Sequence, residues 1–228
     1  MTIHELNNWL VAPPQRTLSD YVTVQLRQAI LSDIIKPGQR LIEQELAENM
    51  QTSRGPVRDA LKILENEGLV SRQSHRGAFV TELKQEDVFE IYSLREALEK
   101  LALRYTIRDA TEEQIEELGK IVEEMENLAK SDYNQLEATD LDMEFHYTLC
   151  KISGHKRGLN AWIALSSQIR LVLLKHRLGN PKDHRIRSVT WHSRIVASLR
   201  ERDLDKAEKE LHTHMAASLE WLGNQADY

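Results

Sequence analysis

The chain has 228 residues, 41% of them hydrophobic, with 30 Lys/Arg against 36 Asp/Glu and one cysteine, Cys150. That length suits two modest domains with packed cores, and a single cysteine excludes an internal disulfide. With no signal-like N-terminus and no long apolar run, the expectation is a cytoplasmic protein with no membrane role, and the net charge of −6 argues against an anionic partner held by bulk attraction alone.

Residues 1–16 contain Asn7-Asn8 and Pro13-Pro14 and read as a loosely held arm, with a short helical turn around Glu5 to Leu10 and no assigned function. A helix starts at Thr17 with Ser19 as its cap, buries Val22, Leu26, Ala29 and Ile30, and ends at the Lys36-Pro37-Gly38 turn. The run from Leu41 to Val80 then opens with two short helices meeting at a tight turn. Leu46 and Met50 share a face of the first, and Val57, Ala60, Leu61 and Leu64 recur at i, i+3, i+4 and i+7 on the second. Ser53 stands where an N-cap belongs, and Pro56 falls in the first turn, where its missing N–H removes no intrahelical bond.

Arg54 and Arg58 lie one turn apart beside that apolar stripe, so both guanidinium groups can leave the same side of the helix near its start. A major-groove recognition helix presents itself in this way. The alternative is a solvated, ion-paired face with Asp59, Glu65 and Glu67. Against it stands the agreement of cap, proline, stripe, the Gly68 stop and a basic hairpin tip in one window. The hairpin runs from Leu69 to Arg72 and from Gly77 to Thr81, its tip carrying Ser74, His75, Arg76 and Gly77, and it reads as a wing. Up to Glu82 nine Lys/Arg face ten Asp/Glu, but between Thr52 and Val80 five bases face three acids, so the reading surface is locally positive. Binding by a few well-placed contacts follows.

The segment TSRGPVRDAL within Leu41 to Val80 resembles the winged helix-turn-helix of the GntR family of bacterial transcription regulators. The resemblance implies that Arg54 and Arg58 contact base edges, that Ser53 and nearby backbone hold phosphates, and that His75 with Gly77 enters the minor groove. Gln44 stands where some members carry an arginine, which leaves a weaker hydrogen bond or none at that position. The domain so defined spans residues 17–82.

From Gln85 the period is helical throughout, with helices expected at about Glu86 to Arg108, Thr111 to Ser131, Tyr133 to Ile152, His155 to Leu178, Asp183 to Glu201 and Leu204 to Leu222. Thr111 with Gln114 forms a capping box. The fold class is therefore mainly α: a winged helix-turn-helix of three helices plus a small β-hairpin, followed over residues 85–228 by an antiparallel helical bundle. Within the bundle Asp142 and His146 are spaced i, i+4, so a carboxylate and an imidazole leave one helical face and can grip a cation; a surface ion pair is the plainer reading. His192 lies mid-helix, and of His212 and His214 only one can face inward.

The stretch from about Glu86 to Leu222 resembles the FCD-type ligand-binding domain of the FadR-like branch of GntR regulators. That resemblance implies a divalent metal held by Asp142, His146, His192 and His214. One carboxylate with three imidazoles suits Zn²⁺, Ni²⁺ or Mn²⁺, and octahedral coordination leaves two positions for water or a ligand carboxylate. It also implies a small organic acid as effector, with Arg95 lining its pocket and Arg170 as a second contact, although Arg95 is equally spaced for an intrahelical pair with Glu99. At Ser153-Gly154-His155 relatives commonly carry asparagine third, which bears on a helix cap or the pocket edge. His155, His176 and His184 read as surface residues, and Trp162, Trp191 and Trp221 as core or dimer contacts.

The function expected is a dimeric repressor on a palindromic operator, controlled by the organic acid at the metal pocket. Two alternatives remain at this point. One keeps the DNA binding with a metal-free histidine pocket. The other is a metalloenzyme with Glu144 as base, which its place two residues from Asp142, off the metal face, opposes.

Overall fold

The computed structural model describes residues 17–131, 133–179 and 181–223, and over 175–186, 218 and 220–223 the backbone alone. The arm at residues 1–16 and the side chains of His176, His184 and Trp221 lie outside the described residues. The chain divides into two compact units, Met1–Thr81 and Glu82–Tyr228.

The first unit contains α1 (Leu18–Leu31), β1 (Arg40–Leu41), α2 (Glu43–Asn49), α3 (Arg54–Asn66), β2 (Val70–Gln73) and β3 (Gly77–Val80). The start of α1 is set by Thr17 rather than Ser19: the Thr17 hydroxyl accepts from the Asp20 N–H, and the Asp20 carboxylate accepts from the Thr17 N–H at 2.8 Å. The helix also stops earlier than the Lys36-Pro37-Gly38 turn, at Leu31, because Asp33 takes a left-handed backbone (φ 56°). Val22, Leu26 and Ile30 face the core as expected, whereas Ala29 is only half-buried; α1 packs on α3 there.

All four positions of the α3 stripe, Val57, Ala60, Leu61 and Leu64, are fully buried, but in α2 it is Ala47 that enters the core, with Leu46 and Met50 half-buried. Helix α3 closes in a Schellman turn. Gly68, at φ 72°, donates to Glu65 O (3.0 Å), Leu69 donates to Leu64 O (2.9 Å), and the Leu64 and Leu69 side chains are both buried. The paired carboxylate of Glu67, the last-turn cap, is gripped from α1 by Arg27 through two hydrogen bonds of 2.8 and 2.5 Å.

The expected hairpin is present as β2–β3, with Val70 opposite Val80 and Gln73 opposite Gly77. It is one strand short of what forms, because Arg40 and Leu41 extend it into a three-stranded sheet of order β1-β3-β2, Arg40 opposite Phe79 and Leu41 opposite Ala78. Leu41 therefore belongs to a strand and not to the helix that follows.

The second unit is a bundle of α4 (Gln85–Asp109), α5 (Glu112–Lys130), α6 (Gln135–Ile152), α7 (Lys156–Gly179), α8 (Pro181–Arg200) and α9 (Leu204–Gly223). Helix α4 packs against α6, α7 and α9, while α5 packs on α6 and α8, and α8 on α9. One core runs through them, including Tyr92, Leu103, Phe145, Leu149, Trp162 and Leu199. The Thr111–Gln114 capping box forms at α5, Asn134 caps α6, and Pro181 opens α8, where its fixed φ suits a first helical residue. Arg202 fastens the α8–α9 turn to the α4–α5 turn by donating to Ile107 O (3.1 Å), Ala110 O (2.8 Å) and Glu112 Oε1 (2.7 Å).

Gly68 sits where an L side chain is strained, so Gly68→Ala is expected to destabilise the first unit by about 1–2 kcal/mol, read as a lower urea midpoint. Gly68→Asn should recover part of that loss, because asparagine tolerates the left-handed backbone.

Candidate functional site

Each unit presents its own cluster of polar side chains. In the first, Ser53 holds the N-cap position of α3 with extended backbone, but its hydroxyl makes no capping bond. The side chains of Arg54 and Arg58 are 60% and 51% exposed. Both lean on Glu43 at the start of α2: Arg58 donates from Nε and Nη2 to Oε2 at 3.2 Å, and Arg54 Nη2 lies 3.7 Å from the same oxygen. Such half-exposed pairs orient the guanidinium groups without locking them. Glu43 escapes sequence reading because its partner Arg58 is fifteen residues away. Gln44 is exposed and donates to Glu48 of its own helix at 3.0 Å.

At the wing His75, Arg76 and Gly77 are all exposed, His75 at φ 61° and Gly77 at φ 100°, and the Arg76 guanidinium lies 5.9 Å from the centre of the Phe79 ring.

In the bundle, Asp142 and His146 of α6, His192 of α8 and His214 of α9 are brought together, with one donor atom from each inside a 4.8 Å span, and all four are buried. His146 Nε2 lies 3.1 Å from His214 Nε2 and 3.2 Å from His192 Nε2. The Asp142 oxygens stand 3.7 Å from His146 Nε2 and 3.8 Å from His192 Nε2.

The outer nitrogens fix the tautomers. His192 Nδ1 is 2.7 Å from Ser188 O, which can only accept, so that nitrogen carries the proton. His146 Nδ1 lies 2.6 Å from Glu99 Oε2. Burial alone would raise the Glu99 carboxyl, but His146 and Arg95 overcome it and hold the group at about 2, so it too accepts. Both rings, when neutral, then point Nε2 lone pairs at one another across 3.2 Å, an arrangement a cation relieves. His214 is driven well below its ordinary value, first by burial and then by His192 and His146, and is a neutral donor as well. Ligands at about 2.1 Å from a common ion stand about 3.0 Å apart in octahedral and about 3.4 Å apart in tetrahedral geometry, which brackets the observed N···N distances. The donor set fits a divalent transition metal.

Arg95 of α4 is wholly buried. Its Nε donates to Glu99 Oε1 (2.9 Å), its Nη2 lies 3.6 Å from Asp142 Oδ1, and its guanidinium faces Tyr92 at 5.4 Å. The intrahelical pair and the position at the cluster thus coexist. Among the described residues neither Nη1 nor Nη2 has a hydrogen-bond partner. Burial works against its charge, but Glu99, Tyr92 and Asp142 keep it protonated.

Glu99 is the residue that sequence reading undervalued. Besides Arg95 and His146 it accepts from Trp162 Nε1 at 2.9 Å, joining α4, α6 and α7. Arg170, by contrast, does not reach the cluster: it pairs with Asp140, two residues from Asp142 and so on another face of α6. His212 points outward to Glu96 Oε1 (2.9 Å), and His155 is half-buried, its Nδ1 accepting from the Gly158 N–H (2.9 Å) as a cap for α7. Glu144 is exposed and remote in direction from Asp142.

A winged helix-turn-helix joined to a helical bundle with a buried Asp/His cluster defines a DNA-binding regulator. Residues 18–80 match the bacterial regulatory proteins of the gntR family, and residues 90–217 match the FCD domain. The chain belongs to the GntR family and is a DNA-binding transcription regulator rather than an enzyme. It is 30% identical over 199 residues to the HTH-type transcriptional regulator YdhC of Bacillus subtilis, spanning 87% of this chain and 88% of that one. It is also 30% identical over 195 residues to the gluconate operon transcriptional repressor of Bacillus licheniformis, covering 84% and 79% of the two chains. The fold superposes on E. coli McbR/YncC with a TM-score of 0.76 at 23% identity, over 93% of this chain and 100% of that one. Among the described residues no helix is long and apolar enough to cross a membrane.

Replacing Glu99 by Gln keeps the shape but removes the charge that faces Arg95 and His146. The expected cost is about 3–5 kcal/mol, measured by chemical denaturation. Because the folded carboxyl lies at about 2 against an ordinary 4.5, its stabilisation is complete above pH 4.5 and is lost as the pH falls toward 2; the variant should lack that acid-sensitive component.

Proposed function

We propose that this chain is a repressor that binds a palindromic operator as a homodimer and is controlled by a small organic acid held at a metal in the bundle. The convergence of Asp142, His146, His192 and His214 beside the open donors of Arg95 carries the reading. Those four residues would hold Zn²⁺, Ni²⁺ or Mn²⁺, which when bound supplies a Lewis-acidic point for a carboxylate. Charge supports an anion. Arg95 balances one of the carboxylates Glu99 and Asp142, a dication leaves the site positive by one, and a monocarboxylate restores neutrality in a buried place where net charge is costly.

Entry of a ligand to residues this deeply buried requires the helices carrying them to part. A ligand that favours one arrangement of α4, α6, α8 and α9 thereby shifts the population of bundle states, and operator affinity follows by linkage. The repressor sign is supported by the names of relatives, including a probable D-xylose utilization operon repressor of Paenarthrobacter nicotinovorans, 29% identical over 212 residues. Sugar acids such as gluconate are the first effectors to try, given the gluconate-operon relatives. Dimerisation is supported by the neighbouring helices α4 and α7, which leave Leu94 and Ile163 51% and 45% exposed. On α3, Arg54 and Arg58 read base edges; Ser53 and the wing residues His75, Arg76 and Gly77 take the backbone and minor groove, with Gln44 a minor contact.

Two tryptophans report on the site: the Trp191 ring lies 5.6 Å from that of His214, and Trp162 bonds Glu99. Titrating tag-free protein, stripped with chelator, with Zn²⁺, Ni²⁺ or Mn²⁺ should change tryptophan fluorescence stoichiometrically, and Asp142→Ala should abolish the change. A response that Asp142→Ala leaves intact would sink the metal assignment in favour of the metal-free pocket.

For the reading head, Arg54→Ala and Arg58→Ala should each weaken operator binding by about 1–3 kcal/mol, seen in band-shift titrations with the fold intact by circular dichroism.

A further inference from the structure

The cations of the DNA-binding unit are mostly spoken for. Among the described residues Arg27 pairs with Glu67, Lys36 with Asp33, Arg54 and Arg58 with Glu43, Lys62 with Asp59 and Arg72 with Glu65. Arg40 and Arg76 have no carboxylate within ion-pair distance among those residues, and they are neighbours. Arg40 lies on β1 opposite Phe79, the residue over whose ring the Arg76 guanidinium sits. The Arg40 Nε and Nη2 lie 3.7 and 3.8 Å from where a side-chain carbon on Gly77 would stand, so the guanidinium runs alongside the wing glycine. Arg40, Arg76 and His75 are all exposed. Among the described residues of this unit, the positive charge that no carboxylate meets is therefore concentrated beside Gly77, on β1 (Arg40) and in the β2–β3 turn (Arg76).

We propose that Arg40 is a DNA-contacting residue: its guanidinium grips a backbone phosphate beside the groove that the wing enters, and with Arg76 it straddles Gly77. This rests on the reading of β2–β3 as a DNA-binding wing. The two-residue strand β1 is the reason the contact exists. By hydrogen bonding to β3 it carries an arginine from outside the hairpin to the hairpin's exposed end. A phosphate is the fitting ligand because the guanidinium offers a planar pair of N–H donors with no acceptor among the described residues and is exposed, whereas a base edge requires the deeper reach that α3 supplies. Arg40 then contributes sequence-independent affinity and fixes the depth of the wing, leaving base choice to Arg54 and Arg58.

The test uses the full chain and a labelled duplex enriched from a random-sequence pool by the wild-type protein, with an unselected duplex beside it. Anisotropy titrations across a salt series give the slope of log K against log salt. Loss of one phosphate contact per protomer, hence two in the bound homodimer, should make that slope shallower by about 1.8 in Arg40→Gln and weaken both duplexes by the same factor. Arg40→Lys, which keeps the charge, should retain the wild-type slope, and it carries the comparison should Arg40→Gln unfold. If Arg40→Gln or a second neutral variant, Arg40→Met, binds with the wild-type slope, or if only the enriched duplex is weakened, the phosphate assignment is overturned while the wing reading stands. If the wild-type chain binds neither duplex, the wing reading itself fails and takes this inference with it.

Discussion

The bundle depends on one buried carboxylate. Glu99 has two oxygens and meets three donors on three helices: the Arg95 guanidinium of its own helix α4, the His146 ring of α6 and the Trp162 indole of α7. A carboxylate removed from water is costly unless its lone pairs are satisfied, and these donors satisfy them. The same contacts decide which nitrogen of His146 carries a proton. Were Glu99 absent, nothing would compel Nε2 to face His192 and His214 as an acceptor, and the convergence of lone pairs on which the proposed cation site rests would be lost. The ligand cluster is thus an outcome of what stands behind it, as metal-binding imidazoles generally are.

Position on α4 gives Glu99 and Arg95 a second importance. Residues 81–84 are all that separate β3 from the start of α4 at Gln85. Arg95 lies ten residues into that helix, about 15 Å along its axis at 1.5 Å per residue. In the proposed linkage, α4 carries a displacement at Arg95 along its own axis as a rigid element. Arg202 bears on the other end, tying the turn between the helices of His192 and His214 to the Ile107 carbonyl of α4 and the Ala110 carbonyl just past it. In the proposed linkage these fastenings are what would convert a change at the cluster into a change at both ends of α4.

Much of this could be read from the residues, because helix periodicity is a local property. The stripe of Val57, Ala60, Leu61 and Leu64, the Gly68 stop and the six bundle helices are each written within a few turns of chain. The expectation that Asp142 and His146 share a face was likewise local. What was not legible is long-range. The strand Arg40–Leu41 is too short for a period and exists only through Phe79 and Ala78. Glu99 looked like the intrahelical partner of Arg95, since its other partners are 47 and 63 residues away. Arg170 could be placed on a helix but not on a side of it, and Asp140, thirty residues earlier, decides the side. At Thr17 the ambiguity is local: two hydroxyl residues compete for one cap, and Asp20, three residues after Thr17, settles the choice by reaching back. His155 has a local role that its residue type alone did not reveal, its ring nitrogen accepting the Gly158 N–H at 2.9 Å to cap α7.

The acidity of the chain becomes intelligible once its internal pairing is considered. A regulator must favour its operator over a great excess of other duplex, so affinity that comes from charge alone is counterproductive. Glu43 holds Arg54 and Arg58, the two arginines proposed to read bases, at a half-exposed site, an interaction of about 0–1 kcal/mol that is readily exchanged. A base edge that accepts two hydrogen bonds from one guanidinium discriminates against the wrong base by about 1–3 kcal/mol, and so weak an ion pair opposes that contact little. A lone phosphate brought near α3 must instead approach Glu43 itself, and like charge opposes it. In the proposed reading the carboxylate therefore subtracts more from indiscriminate binding than from correct binding, so selectivity would rise although total affinity would fall. That subtraction is tolerable only if some part of the unit still attracts the duplex backbone, and the exposed arginines beside the wing glycine are the ones left uncompensated to do so.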